Sequence, residues 1–156
     1  MGKTYPLILL LFLTFAGCAS APSLAPMIDD TSFYQGRYDK LWDATLKVLE
    51  KKSLAIKEIN KEKGEITTRF ANYSVGYHAH QDLEKIAEKP EVRLGLYTQV
   101  GYSLTIKLTP VTGTYTQIKI TASIEAYDTN VTQQWQKCPS KGVIERELLG
   151  KIKDSL

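Results

Sequence analysis

His78-Ala79-His80 is the tightest group of chemistry-bearing side chains in the sequence. On a strand, residues two apart point to the same side, and two imidazoles placed so suit zinc or copper. A third ligand is needed, and Asp82 stands two residues on. An HxH pair is common by chance, and the plainer reading is two polar loop residues. Cys138 and Ser140 flank Pro139 and carry nucleophilic atoms. A working nucleophile needs a base in contact, and Ser140 stands where a helix cap is expected. Glu50, Glu58, Glu62, Glu145 and Glu147 fall on what the spacing marks as exposed faces, so no buried carboxylate pair is expected. No GxSxG, P-loop or GxGxxG motif occurs. The reading is therefore non-catalytic, with no metal and no cofactor.

Binding has better support. The chain has nine tyrosines, and Tyr73, Tyr77, Tyr97, Tyr102, Tyr115 and Tyr127 lie on or near expected strands or in the stretch between them. Tyrosine is large, stiff and half polar, and interfaces favour it. Strands favour it as well, so composition explains the pattern equally. Tyr73, Tyr77, Tyr97, Tyr115 and Tyr127 are the expected contributors to an interaction surface. A net charge of +3, with no basic stripe between aromatics, gives no reason to expect nucleic acid.

The N-terminus sets the location. Lys3 is the only charge before Asp29, and Leu7 to Phe15 is apolar apart from Thr14. The run is short for a membrane span, which needs about 20 apolar residues. A basic start, a short apolar stretch and then Ala16, Gly17, Cys18, Ala19 and Ser20 describe an export signal. An ordinary signal needs no cysteine. Here Cys18 falls where the cut is expected, and the stretch resembles the bacterial lipoprotein signal, with Phe15 where leucine is usual. That resemblance implies cleavage between Gly17 and Cys18, a diacylglycerol on the Cys18 sulfur and acylation of the new amine. Two such signals give stable anchoring at about 0.8 kcal/mol per buried CH₂. Ala19, rather than Asp, after the cysteine implies sorting to the outer membrane. Cys138 is then left without a partner in its own chain, as a buried thiol or an intermolecular site.

Three parts follow: a signal over 1–17, a lipidated tether over 18–32 holding Pro22 and Pro26, and one domain over 33–156. Within the domain, Arg37 to Lys52 is expected as a helix with Tyr38, Leu41, Trp42, Thr45, Val48 and Leu49 on one face. Leu54 to Asn60 and Glu65 to Phe70 read as a hairpin around Gly64, with Ile66, Thr68 and Phe70 on one side. Ala71 to Leu96 reads as an excursion from the sheet. Val100, Tyr102, Leu104, Ile106 and Leu108 alternate with polar residues, and so do Ile118, Ile120, Ala122, Ile124 and Ala126. These two runs predict a long antiparallel hairpin, buried on one face and wet on the other. A last helix begins near Ser140, with Val143, Ile144, Leu148 and Ile152 inward and Trp135 packed beneath. The fold class is α+β: an antiparallel sheet of about four strands with the N- and C-terminal helices on one face.

The stretch YDKLWDATLKVLEKKSLAIKEINKEKGEITTRF, with SKGVIERELLGKI at the end, resembles the helix-grip domains of BamC-like outer-membrane lipoproteins. BamC proteins usually carry two such domains, and this chain has room for one. The resemblance implies a non-catalytic accessory of the machinery that folds β-barrel proteins into the outer membrane. Its partners would be the membrane, through Cys18, and other envelope proteins. The alternative is a ligand- or peptide-binding lipoprotein using a groove between helix and sheet.

Overall fold

The computed structural model describes residues 30–156. The expected signal, Cys18 and nearly all of the tether lie outside them. The elements run β1 (Thr31–Gln35), α1 (Tyr38–Lys51), β2 (Ile56–Asn60), β3 (Glu65–Thr68), β4 (Ala71–Val75), α2 (Ala79–Ile86), β5 (Tyr97–Pro110), β6 (Tyr115–Asp128), β7 (Trp135–Cys138) and α3 (Val143–Lys153). The fold is α+β, with seven antiparallel strands instead of about four, and three helices instead of two. Among the described residues, no helix is long and apolar enough to cross a membrane.

The β5–β6 hairpin is the spine. It pairs in one register from Gln99↔Tyr127 to Pro110↔Thr116. The expected alternation holds: Val100, Leu104, Ile106, Leu108, Ile118, Ile120, Ile124 and Ala126 are all buried. On the outer side of β5, β3 pairs with its far half and β4 with its near half, and β2 extends β3. On the outer side of β6, β1 and β7 divide the strand in the same way.

This division leaves a gap at one level of the sheet. Leu104 and Ala122 face each other, and among the described residues neither has a neighbouring strand on its outer side. Side chains fill the gap. The Leu104 N–H donates to Thr68 Oγ1 at 2.9 Å, and the Ala122 N–H donates to Glu145 Oε1 at 3.1 Å. A buried amide without a partner is costly, so these two contacts are what allow the spine to outrun its neighbours.

The three helices cover one face. Leu41, Trp42, Val48 and Leu49 of α1, Leu83 and Ile86 of α2, and Leu148 and Ile152 of α3 join the sheet residues in one core. Each large apolar side chain so buried contributes about 1.5–3 kcal/mol. The side chains of this core occupy the layer between helices and sheet.

Several expectations need correction. Among the described residues the first strand opens at Thr31, where β1 pairs with β6, inside the expected tether over 18–32. The stretch 71–96 contains β4 and α2. Trp135 lies on β7 against Tyr127 and Phe70 and is 40% exposed, away from α3. Phe70 falls outside β3 and is 43% exposed, because the strand ends at Thr68. Ser140 does not occupy the cap position of α3. Gly142 does, at φ 76°, and Ser140 Oγ accepts the Gly142 N–H and donates to Glu145 Oε2. Glu145 itself is only 1% exposed, the reverse of the expected solvated face.

Candidate functional site

Among the described residues, no helix packs on the second face of the sheet. Its floor is the polar half of the alternation: Ser103 and Thr105 on β5, Ser123 and Glu125 on β6, and Thr67 on β3. At one end of that floor stands an aromatic group. A glycine on β5, Gly101, has no side chain to fill its own position, and Phe70 lies over it. A methyl group at Gly101 would collide with the Phe70 ring and sit 2.6 Å from the Ala71 carbonyl oxygen. Phe70 then meets Trp135 edge to face, with ring centroids 5.1 Å apart, and Trp135 meets Tyr127 at 5.6 Å. Such pairs add about 0.5–1.5 kcal/mol beyond burial. They fix the three rings in place and leave Phe70 and Trp135 partly open to solvent.

A groove of about 530 Å³ crosses the sheet beside these rings. Its walls are Lys57 and Glu58 on β2 and Phe70 and Trp135 opposite, over a floor of Ser103 and Thr105. Arg69 and Glu125 also line it. Lys57 pairs with Glu58 at 3.8 Å, whereas Arg69 and Glu125 form no ion pair among the described residues. The groove therefore offers an aromatic wall, free hydroxyls and one unspent charge of each sign. Groups of this kind are the ones that protein interfaces use.

The expected site residues do not gather into one surface. Tyr127 belongs to the aromatic group. Tyr73 lies on β4, where its ring meets Tyr102 at 6.3 Å. Tyr102 is buried on the core face. Tyr77 follows β4 and is 88% exposed. Tyr115 sits at the opposite end of the sheet, paired with Gln35. Tyr97 is buried at 2% exposure and takes no part in any surface, because it is the first inward residue of β5.

His78 and His80 stand at the start of α2, not on a strand. The His78 ring packs edge-on against Tyr77, while His80 stacks on Tyr97. Asp82 accepts from Ser74 and Lys85, which hold its carboxyl below the usual range, the Lys85 contact most of all. Among the described residues, no three His, Cys, Asp or Glu side chains converge as metal ligands. Cys138 is free and buried, and its Sγ donates to the Gln136 carbonyl at 3.3 Å. Burial pushes its pKa up to about 11, which keeps it a thiol. Glu147 bonds Lys52 at 2.7 Å, and Glu50, Glu58 and Glu62 are exposed.

Sequence reasoning missed Phe70, Trp135, Arg69 and Glu125. The available signal was Gly101, a glycine inside an alternating strand, which marks a close approach by another group.

No protein-family model matches the chain, and no curated protein matches it. In three dimensions it is similar to a DUF4468 family protein from Bacteroides ovatus ATCC 8483, with a TM-score of 0.41 and 13% identity. The match covers 72% of this chain and 63% of that one. A likeness at this level assigns no function.

Proposed function

We propose that this chain is a lipid-anchored, non-catalytic protein of the bacterial envelope, an accessory of outer-membrane β-barrel assembly in the manner of BamC-like lipoproteins. Cys18 is its anchor, and its domain faces the periplasm from the outer membrane. Other envelope proteins are its partners, docking on the open face of the sheet. The observation that carries this reading is that face: one side is packed by three helices, while the other presents a groove with fixed aromatic rings and unpaired Arg69 and Glu125. Polar floors with a few rigid aromatic anchors suit a protein interface. The anchor itself is supported by the position of Cys18 behind Ala16 and Gly17. Capture of the tagged chain from gently solubilised native membranes tests the proposal. Subunits of the assembly machinery should accompany it. Clean recovery with none of them would overturn the assignment.

A second reading keeps the same groove but gives it a small ligand or short peptide. The groove volume of about 530 Å³ lies within the range of ligand sites. It differs in its expectation for capture: the chain would come alone, and bound material would be released on denaturation.

A further inference from the structure

At the end of the sheet where β5 begins and β6 ends, two loops are tied to each other. Asp128 Oδ1 accepts the Leu96 N–H at 3.0 Å, and the same carboxylate takes the N–H groups of Asn130, Val131 and Thr132. The Thr129 N–H donates to the Leu96 carbonyl at 2.9 Å, and Asn130 Nδ2 donates to the Leu94 carbonyl at 2.9 Å. This frame holds three aliphatic side chains outward: Leu94 is 78% exposed, and Leu96 and Val131 are each 51% exposed.

Leu94 is the informative one. The Gly95 N–H closes a turn on the Val92 carbonyl at 3.1 Å, and within that turn Leu94 has φ 64°. Glycine is the residue suited to such a position. A leucine there strains the backbone and gains no packing in return. Leu94 therefore holds a conformation unusual for leucine while its side chain stands in solvent. Beside it, Arg93 forms no ion pair among the described residues; Glu91 is the carboxylate of the same loop.

We propose that this two-loop tip rests on a lipid surface, with Leu94, Leu96 and Val131 in the boundary between headgroups and acyl chains and Arg93 on the lipid phosphates. The inference rests on the reading of Cys18 as an anchor, and the reach agrees. The Ile120 N–H donates to the Asp30 carbonyl, so the chain joins the sheet beside Ile120. From there to Asp128 is eight residues of strand, about 26 Å. Eleven residues lie between Cys18 and Asp30, and the twelve steps span up to about 40 Å when extended. That length is enough for the tip to reach the bilayer that would hold Cys18. The turn at the opposite end of the sheet also exposes Val111 and Tyr115, but no residue from Pro110 to Tyr115 is held at positive φ. With the tip on the membrane, β5 and β6 stand upright and the open face looks sideways at neighbours in the same membrane.

Environment-sensitive labelling tests this. The full chain, recovered from cell membranes, carries a fluorophore at Leu94→Cys, Val131→Cys or Val111→Cys and is placed in vesicles of phosphatidylethanolamine and phosphatidylglycerol. Lipids bearing a nitroxide should quench positions 94 and 131 several-fold more than position 111. Equal quenching, or stronger quenching at 111, overturns the proposal. A chain that floats with the vesicles but is unquenched at 94 defeats the tip alone; a chain that does not float defeats tip and anchor together. Leu94→Gly adds a check. It should keep or raise the urea midpoint, since it relieves the turn, while weakening quenching at position 131. A lowered midpoint would mean that Leu94 serves the fold, contrary to the proposal.

Discussion

Replacing Glu145 with alanine should weaken this protein more than any exposed-glutamate substitution. The side chain is 1% exposed and has two partners. Its Oε1 accepts the Ala122 N–H at 3.1 Å, and its Oε2 accepts the Ser140 hydroxyl at 2.9 Å. Alanine strands both donors inside the fold. Each buried donor left unpaired costs about 1–3 kcal/mol, so the variant should lose about 2–6 kcal/mol, against a total of about 5–15 kcal/mol for a domain. Glu145→Gln keeps an oxygen for Ala122 and places an amide near Ser140, whose hydroxyl has lone pairs to accept it. It gives up charge assistance at both contacts and takes the acceptor from the Ser140 hydroxyl proton, and should lose about 1–3 kcal/mol. Urea unfolding followed by circular dichroism measures both. Hydrogen exchange locates the effect: the Ala122 amide should lose protection in the alanine variant and keep most of it in the glutamine variant. If Glu145→Ala costs under about 1 kcal/mol, or Ala122 exchanges as slowly as before, the carboxylate does not stand in for a missing strand and the reasoning fails.

On the other side of the spine, Thr68→Val should strand the Leu104 N–H and cost about 1–3 kcal/mol by the same urea assay. Gly64→Ala should be destabilising by about 1–3 kcal/mol, since φ there is 68° and a Cβ would collide with the Leu108 carbonyl. Asp128 sets an acid response. Backbone N–H donors, that of Thr132 first, hold its carboxyl well below its ordinary 3.8. A depressed folded value means that the contribution is present above about pH 4 and is lost as pH falls below it. Urea midpoints measured from pH 7 downward should therefore drop below pH 4, and Asp128→Asn should flatten that drop while lowering stability at pH 7. Cys138 should ignore thiol reagents at pH 8 in the folded chain and react fully in urea, because burial keeps it protonated.

The sequence made the spine legible because its physics is local. Val100 to Leu108 and Ile118 to Ala126 alternate without interruption, and α1 repeats its apolar residues at helical spacing. What it concealed depends on distant partners. β1 is five residues long, and TSFYQ has no periodicity of its own; it is a strand only because β6 is beside it. Glutamate is ordinarily solvated, yet Glu145 stands three and four residues before Leu148 and Leu149, inside the apolar stripe of α3. A carboxylate in that position was the visible sign of a buried acceptor. Phe70 continued the Ile66–Thr68 alternation on paper, but the chain steps from β3 to β4 at Arg69 and the ring turns to the other face. The tyrosines misled for a related reason: strand propensity placed them correctly on or near strands, while side and end of the sheet, which decide whether they share a surface, are set by pairing.

The central claim, that the open sheet face docks an envelope partner, is tested most directly by crosslinking in living cells. A photoreactive amino acid placed at Thr105 or Trp135 on the open face is compared with one at Lys47 on the exposed side of α1. The account predicts adducts to outer-membrane β-barrel assembly subunits from Thr105 and Trp135 and none from Lys47. Adducts from Lys47 with none from the open face would contradict it.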